Sequence, residues 1–95
     1  MYARITNYKM KPDSIETALA LLEELKPQIM AMSGVVQFIN SIDDTGAGCV
    51  VSIVESKENS EANQEAVMAM WSNFAEFLEE PPVPRGFDVV ANWSN

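Results

Sequence analysis

The spacing of apolar positions switches between two periods along this chain, and the switches mark out its elements. Met1 to Met10 sets Tyr2, Ile5, Tyr8 and Met10 among polar residues with no Gly or Pro, which predicts a strand. Lys11-Pro12-Asp13 breaks that pattern. Asp13 followed by Glu16 has the spacing of a capping box, in which a carboxylate accepts from the free amides of a first helical turn. Ile15, Ala18, Leu19, Leu22, Leu25 and Ile29 then recur at three- and four-residue steps and mark one buried helical face. Pro27 falls inside this stretch and removes the hydrogen bond to the Glu23 carbonyl, so a kink or break is expected there.

Gly34 ends the helix, Val35 to Ile42 reads as an apolar strand, and Asp43-Asp44-Thr45-Gly46 supplies turn chemistry. Cys49 to Glu55 is the partner strand of a hairpin. Ser56 to Ser60 leads into a second helix, with Asn59 or Ser60 as its cap and an apolar stripe of Ala66, Val67, Met70, Trp71, Phe74, Phe77 and Leu78. Glu79-Glu80-Pro81-Pro82 is expected to stop it, Pro84-Arg85-Gly86 to connect, and Phe87 to Trp93 to form the last strand. The order βαββαβ predicts an α+β, ferredoxin-like fold, a four-stranded antiparallel sheet with two helices on one face. No linker interrupts it, so residues 1–95 are expected to form a single domain.

The strands carry a second message. A sheet with helices on one side and water on the other should alternate apolar and polar residues. Val36 and Phe38 oppose Val35 and Ile39, and Val51 and Ile53 oppose Val50 and Val54, so both faces of the middle strands are apolar. The helices cover one face, and a second copy packed sheet to sheet is the simplest cover for the other.

Composition narrows the function classes. Fourteen acidic against six basic residues give a net charge of −8, with no basic cluster, which argues against nucleic-acid and membrane-surface partners. No apolar run approaches the ~18 residues of a transmembrane helix, and a cytoplasmic location is expected. Cys49 is the only cysteine, which excludes an internal disulfide. There is no histidine, and with it go the commonest general base, haem ligand and zinc ligand; no metal site is expected.

Several stretches resemble the antibiotic biosynthesis monooxygenase-like family of the dimeric α+β barrel superfamily. They are the opening strand Tyr2-Ala3-Arg4-Ile5, the Lys11-Pro12-Asp13 lead into the first helix, the Ser33-Gly34-Val35-Val36 return, and the Glu55-Ser56-Lys57-Glu58 step into the second helix. The resemblance spans nearly the whole chain and rests on scaffold residues. It implies sheet-to-sheet homodimers with a pocket between sheet and helices in each subunit. It also implies a cofactor-independent monooxygenase, using neither metal nor flavin, that acts on a small aromatic or quinol-like substrate. In active members an Asn on the first strand and a Trp on the second helix line the pocket, and Asn7 and Trp71 stand at matching places. The haem-degrading branch needs a histidine that this chain lacks.

From the residues themselves, alternation groups Asn7 with Ala3 and Ile5 and points its amide toward the helices, where it could hold a substrate oxygen or bond a neighbouring loop. Tyr2, Arg4, Thr6 and Tyr8 share the other phase, which is expected to meet the partner subunit. Trp71, with Val67, Met70 and Phe74, fits either a core or a pocket wall that stacks on a flat ligand. Tyr8, Met70, Phe74 and Arg85 are the candidates for contact with a small apolar or aromatic ligand, Arg85 through an anionic group. Trp93, in phase with Phe87, Val89 and Ala91, reads as structural. A non-catalytic binding module and a purely structural dimer of the same fold stand as alternatives, and an enclosed space reaching Asn7 and Trp71 would distinguish them.

Overall fold

The structure, a computed structural model, describes residues 1–95. Its elements are β1 (Tyr2–Met10), α1 (Ile15–Met30), β2 (Val35–Ile42), β3 (Ala47–Val54), α2 (Lys57–Ala62), α3 (Gln64–Ser72) and β4 (Leu78–Asp88). Single 3-10 turns at Pro12–Ser14 and Ala75–Phe77 precede α1 and β4. The strands form one sheet in the order β2-β3-β1-β4, with every neighbouring pair antiparallel. Helices cover one face, so the arrangement is the ferredoxin-like α+β fold that the element order predicts.

β1 lies inside the sheet. It pairs with β3 from Tyr2↔Val54 to Lys9↔Ala47, and with β4 from Tyr2↔Asp88 to Met10↔Leu78. The core gathers on its helix side: Tyr8, Met10, Ala18, Val50 and Phe74 are buried together, packed against Leu22, Leu25, Phe38, Ile42, Met70 and Trp71. Every strand residue in this set belongs to one phase of its strand. The opposite phase, with Ile5, Ile39, Val51, Ile53, Val83 and Phe87, lies on the uncovered face, where Ile39, Val83 and Phe87 stay exposed.

Local chemistry departs from expectation at four places. Asp13 and Glu16 form no capping box: neither Lys11 before the 3-10 turn nor Ser14 before α1 makes a side-chain cap, and Pro12 starts the turn instead. Pro27 does not end α1. It sits in the last turn, where forfeiting one bond is tolerated, and the Ala31 amide still closes on its carbonyl at 3.1 Å. The second helix is capped by Ser56, whose Oγ accepts from the Asn59 amide at 3.2 Å, and it is divided at Asn63 into α2 and α3.

The fourth departure is the largest. The last strand is not Phe87 to Trp93 but begins at Leu78 and takes in Pro81, Pro82 and Pro84. β4 is an edge strand, and a proline's missing N–H is tolerated there where it would face solvent. The strand also stops early: Asp88 is opposite Tyr2, and beyond it the Val89 amide donates to the Met1 carbonyl at 3.1 Å. Trp93 therefore lies beyond the sheet, 92% exposed, and is not a packed strand residue.

A polar clamp fixes the turn between α1 and β2 against α2 and α3. Gly34 takes φ +69°, a left-handed conformation that favours glycine, and a Cβ there would stand 2.6 Å from the Asn59 side chain. Asn63 accepts from the Ser33 amide at 2.9 Å and donates to the Ser33 carbonyl at 2.8 Å, while Asn59 donates to the Ser33 hydroxyl at 2.8 Å. Asn63 is buried, so both backbone groups of Ser33 depend on it. Asn63→Ala is expected to lower stability by about 2 kcal/mol, two lost hydrogen bonds and two stranded backbone groups. Urea denaturation monitored by circular dichroism would show the midpoint fall.

Candidate functional site

The inward phase of β1 is Arg4, Thr6, Tyr8 and Met10. Thr6, Tyr8 and Met10 are buried and Arg4 is half-buried, whereas Asn7 is exposed on the opposite face beside Cys49 and Val83. The orientation expected from alternation is thus reversed: Asn7 turns away from the helices, and Tyr8 turns toward them. The reason is physical. Asn7 shares its phase with Lys9, which reaches out to the Thr45 carbonyl and to Glu79, 4.0 Å away. A lysine is rarely buried, and it carries Asn7 outward with it. Arg4 can turn inward because its Nη2 donates to the Ser60 carbonyl at 3.1 Å and the Ser60 hydroxyl at 3.2 Å.

Tyr8 anchors an aromatic row. Its ring centroid is 5.5 Å from Trp71, Trp71 is 6.2 Å from Phe74, and Phe74 is 6.5 Å from Phe77, all in tilted or edge-on contact. The Tyr8 hydroxyl donates to Asn40 Oδ1 on β2 at 2.5 Å. Phe74 is buried and closed to ligand, but Trp71 is only half-buried and turns one side to open space.

That space is a groove of about 260 Å³ between α3 and the proline stretch of β4, walled by Val67, Met68, Trp71, Pro82 and Pro84, with Arg4, Thr6 and Gln64 as its polar side chains; Arg85 borders it along β4 but pairs with Ile5 in the outward phase. Inward of it, a niche of about 30 Å³, room for about one water, shares Arg4, Thr6, Val67 and Trp71 and adds Met70, Phe38 and Asn63. The groove and niche bring together Trp71 and Met70 of the residues expected from sequence, and Tyr8 supports Trp71 from behind, whereas Arg85 follows the outward phase of β4 opposite Ile5. The Arg85 guanidinium also lies 5.0 Å from the Phe87 ring centroid.

Asn7 does not join them. Arg4, Thr6 and the prolines were missed because a charge and a hydroxyl on a strand read as solvent- or partner-facing. Their regular step of two with Tyr8 and Met10 was the available signal. No group of three or more His, Cys, Asp or Glu side chains is placed to hold a metal ion. No helix is long and apolar enough to cross a membrane.

No protein-family model matches the sequence, and no curated protein matches it. Solved structures do match. A Mycobacterium tuberculosis protein is 17% identical, with a TM-score of 0.76 over 98% of each chain. A Bordetella bronchiseptica protein, named as a candidate antibiotic biosynthesis monooxygenase, is 18% identical, with a TM-score of 0.77 over 95% of this chain and 97% of its own. A Nitrosomonas europaea protein of unknown function is 18% identical, with a TM-score of 0.78 over 99% and 93%. This chain shares their fold. The resemblance read from the sequence is therefore met by structural neighbours of that name, and at these identities the likeness is one of architecture.

Tyr8 offers a probe of the site's interior. Burial holds its phenol above the ordinary tyrosine range, and negative charge at Cys49 adds to the rise. Between the unfolded tyrosine pKa near 10 and the higher folded value, the folded chain keeps a proton that the unfolded chain releases. Stability linked to Tyr8 is thus intact below pH ~10 and falls as pH rises through the folded value. Tyr8→Phe is expected to cost about 1 kcal/mol at neutral pH by stranding Asn40, and to flatten the alkaline loss. Denaturation midpoints from pH 7 to 11 for both proteins would show it.

Proposed function

We propose that this protein is a cofactor-independent monooxygenase for a small aromatic or quinol-like substrate, working as a homodimer joined through the uncovered sheet face. The observation that carries the enzymatic reading is the groove over Trp71, where an aromatic wall meets the Thr6 hydroxyl in a half-sheltered space. Trp71 would stack on the substrate ring, and Met70 would supply an adaptable contact deeper in. The neighbours named as antibiotic biosynthesis monooxygenases support the reaction class. Loss of a proton from an acidic ring position leaves a carbanion whose charge spreads onto a ring oxygen, and the Thr6 hydroxyl can donate to that oxygen. The carbanion itself reduces molecular oxygen. A CH₂ group becomes a carbonyl with one oxygen atom, and the other leaves as water with the two hydrogens.

The small volume of the niche also suits a module that holds such a ligand without turning it over. Oxygen consumption separates the two readings. With anthrone or a naphthohydroquinone, uptake above the uncatalysed rate is expected, and Trp71→Ala should lower it at least tenfold by removing the stacking surface. No uptake above background across such a panel would overturn the enzymatic reading.

The dimer rests on the uncovered face. Val51 lies near its middle, opposite Ile5 on β1 and Ile39 on β2, within a continuous apolar patch. The wild-type chain is expected to sediment at twice its 10.5 kDa mass at micromolar concentration. Val51→Glu, which puts a charge at the centre of the patch, should shift it to monomer while leaving the helix-side core untouched. A wild-type monomer would overturn the assembly.

A further inference from the structure

Arg4 stands in an unusual setting for a strongly acidic protein. The sequence has fourteen Asp and Glu against six Lys and Arg, yet no carboxylate lines the groove or the niche, and Arg4 is the one cation on the inward strand phase that lines both. The one ion pair in the structure, Lys9 with Glu79, is elsewhere. Glu79 and Glu80 border a separate depression on the far side of Trp71 and Pro82. Arg4 is half-buried, and its protein partners, the carbonyl and hydroxyl of Ser60, are both neutral and both engaged by Nη2. The N–H groups of Nε and Nη1 donate to no protein acceptor.

A guanidinium drawn in from water pays a desolvation penalty that neutral partners only partly offset, and an anion on its free donors would offset it further. Thr6, two residues along the same face, adds a neutral donor, and Trp71 provides a flat apolar surface shared by groove and niche.

We infer that the groove recognises an aromatic carboxylate, with Arg4 binding the carboxylate, Thr6 supplementing it, and Trp71 stacking on the ring. This rests on the reading of the same groove as the substrate site and narrows its substrate class to anionic aromatics. Arginine is suited to the task because it stays charged at all working pH values and its planar fork matches a carboxylate. A groove of about 260 Å³ falls below the range of pockets for drug-sized ligands, so a molecule of one or two rings is the size that fits.

Titration calorimetry with benzoate and 2-naphthoate, each paired with its neutral primary amide, tests the inference without turnover. The wild-type protein is expected to bind at least one carboxylate about tenfold or more tightly than its amide, the scale of one charge-assisted hydrogen bond. Arg4→Met should bring that ratio close to one while leaving amide binding in place. Arg4→Lys keeps the charge without the planar fork and should retain only part of the preference, which keeps the test open if Arg4→Met does not fold. Equal binding of carboxylate and amide to the wild type, no saturable carboxylate binding at millimolar concentration, or a preference unchanged in both Arg4 variants would each overturn the inference. Oxygen uptake on anthrone is read separately, so the monooxygenase reading can fail while carboxylate binding stands, and the reverse.

Discussion

Because β1 pairs with β3 on one side and β4 on the other, the direction in which its side chains alternate decides what the neighbouring strands present to each face of the sheet. Arg4, Thr6, Tyr8 and Met10 point to the helices. With them go Val50 and Val54 of β3 and Phe38 and Ile42 of β2, and together they build the core and the floor of the groove. A slip of one residue in the pairing would exchange every one of these for its neighbour. Tyr8 holds the choice in place from two directions, through its ring against Trp71 and its hydroxyl on Asn40. Arg4 holds it from a third, through Ser60 of α2. The phase of one strand thus positions aromatic wall, cation and hydroxyl together.

The helices reach that floor in register because the turn before β2 is tied to them. Ser33 is held by Asn59 and Asn63, and Asn59 also accepts from the capping Ser56 at 2.6 Å. The Glu55 amide donates to the Gly34 carbonyl at 2.9 Å, so the end of β3 belongs to the same knot. Asn63, at the junction of α2 and α3, also lines the niche. One side chain therefore sets both the bend of the second helix and one wall of the space that Trp71 overlooks, which couples fold stability to site geometry.

Much of this was legible in the sequence. Element order, the hairpin, the bounds of β2, and two apolar faces on the middle strands all follow from periodicity and turn residues, since each depends only on local spacing. What could not be read were features set by distant partners. β1 carries polar residues in both phases, Arg4 and Thr6 in one, Asn7 and Lys9 in the other, so alternation alone could not choose its inward side; Lys9 favours turning its own phase outward, and what lets Arg4 turn inward is Ser60, more than fifty positions away. The prolines of β4 read as a helix stop and a connector because their tolerance depends on the strand lying at the sheet edge, a fact of topology. Trp71 was found, since a helix stripe places its members without outside help, whereas the expected partnership with Asn7 required knowing the strand's phase.

The same prolines connect the groove to the way the chain can associate. The pairing of β4 with β1 shifts register between Asn7 and Lys9, where Pro81 and Pro82 pass, and this irregularity sits beside Trp71 at the groove's edge. Bulges of this kind re-aim a strand locally and recur beside binding sites. Prolines at 81, 82 and 84 also strip donors from β4, which blunts that edge as a template for adding strands. An association through the edge is thereby disfavoured, while the apolar face of Ile5, Ile39, Val51 and Ile53 is left open to a second sheet. A second sheet packed there would bury that face and leave the groove, which opens on the helix side, uncovered. β1 thus carries two separate surfaces: its outward phase belongs to the apolar sheet face, and its inward phase to the groove.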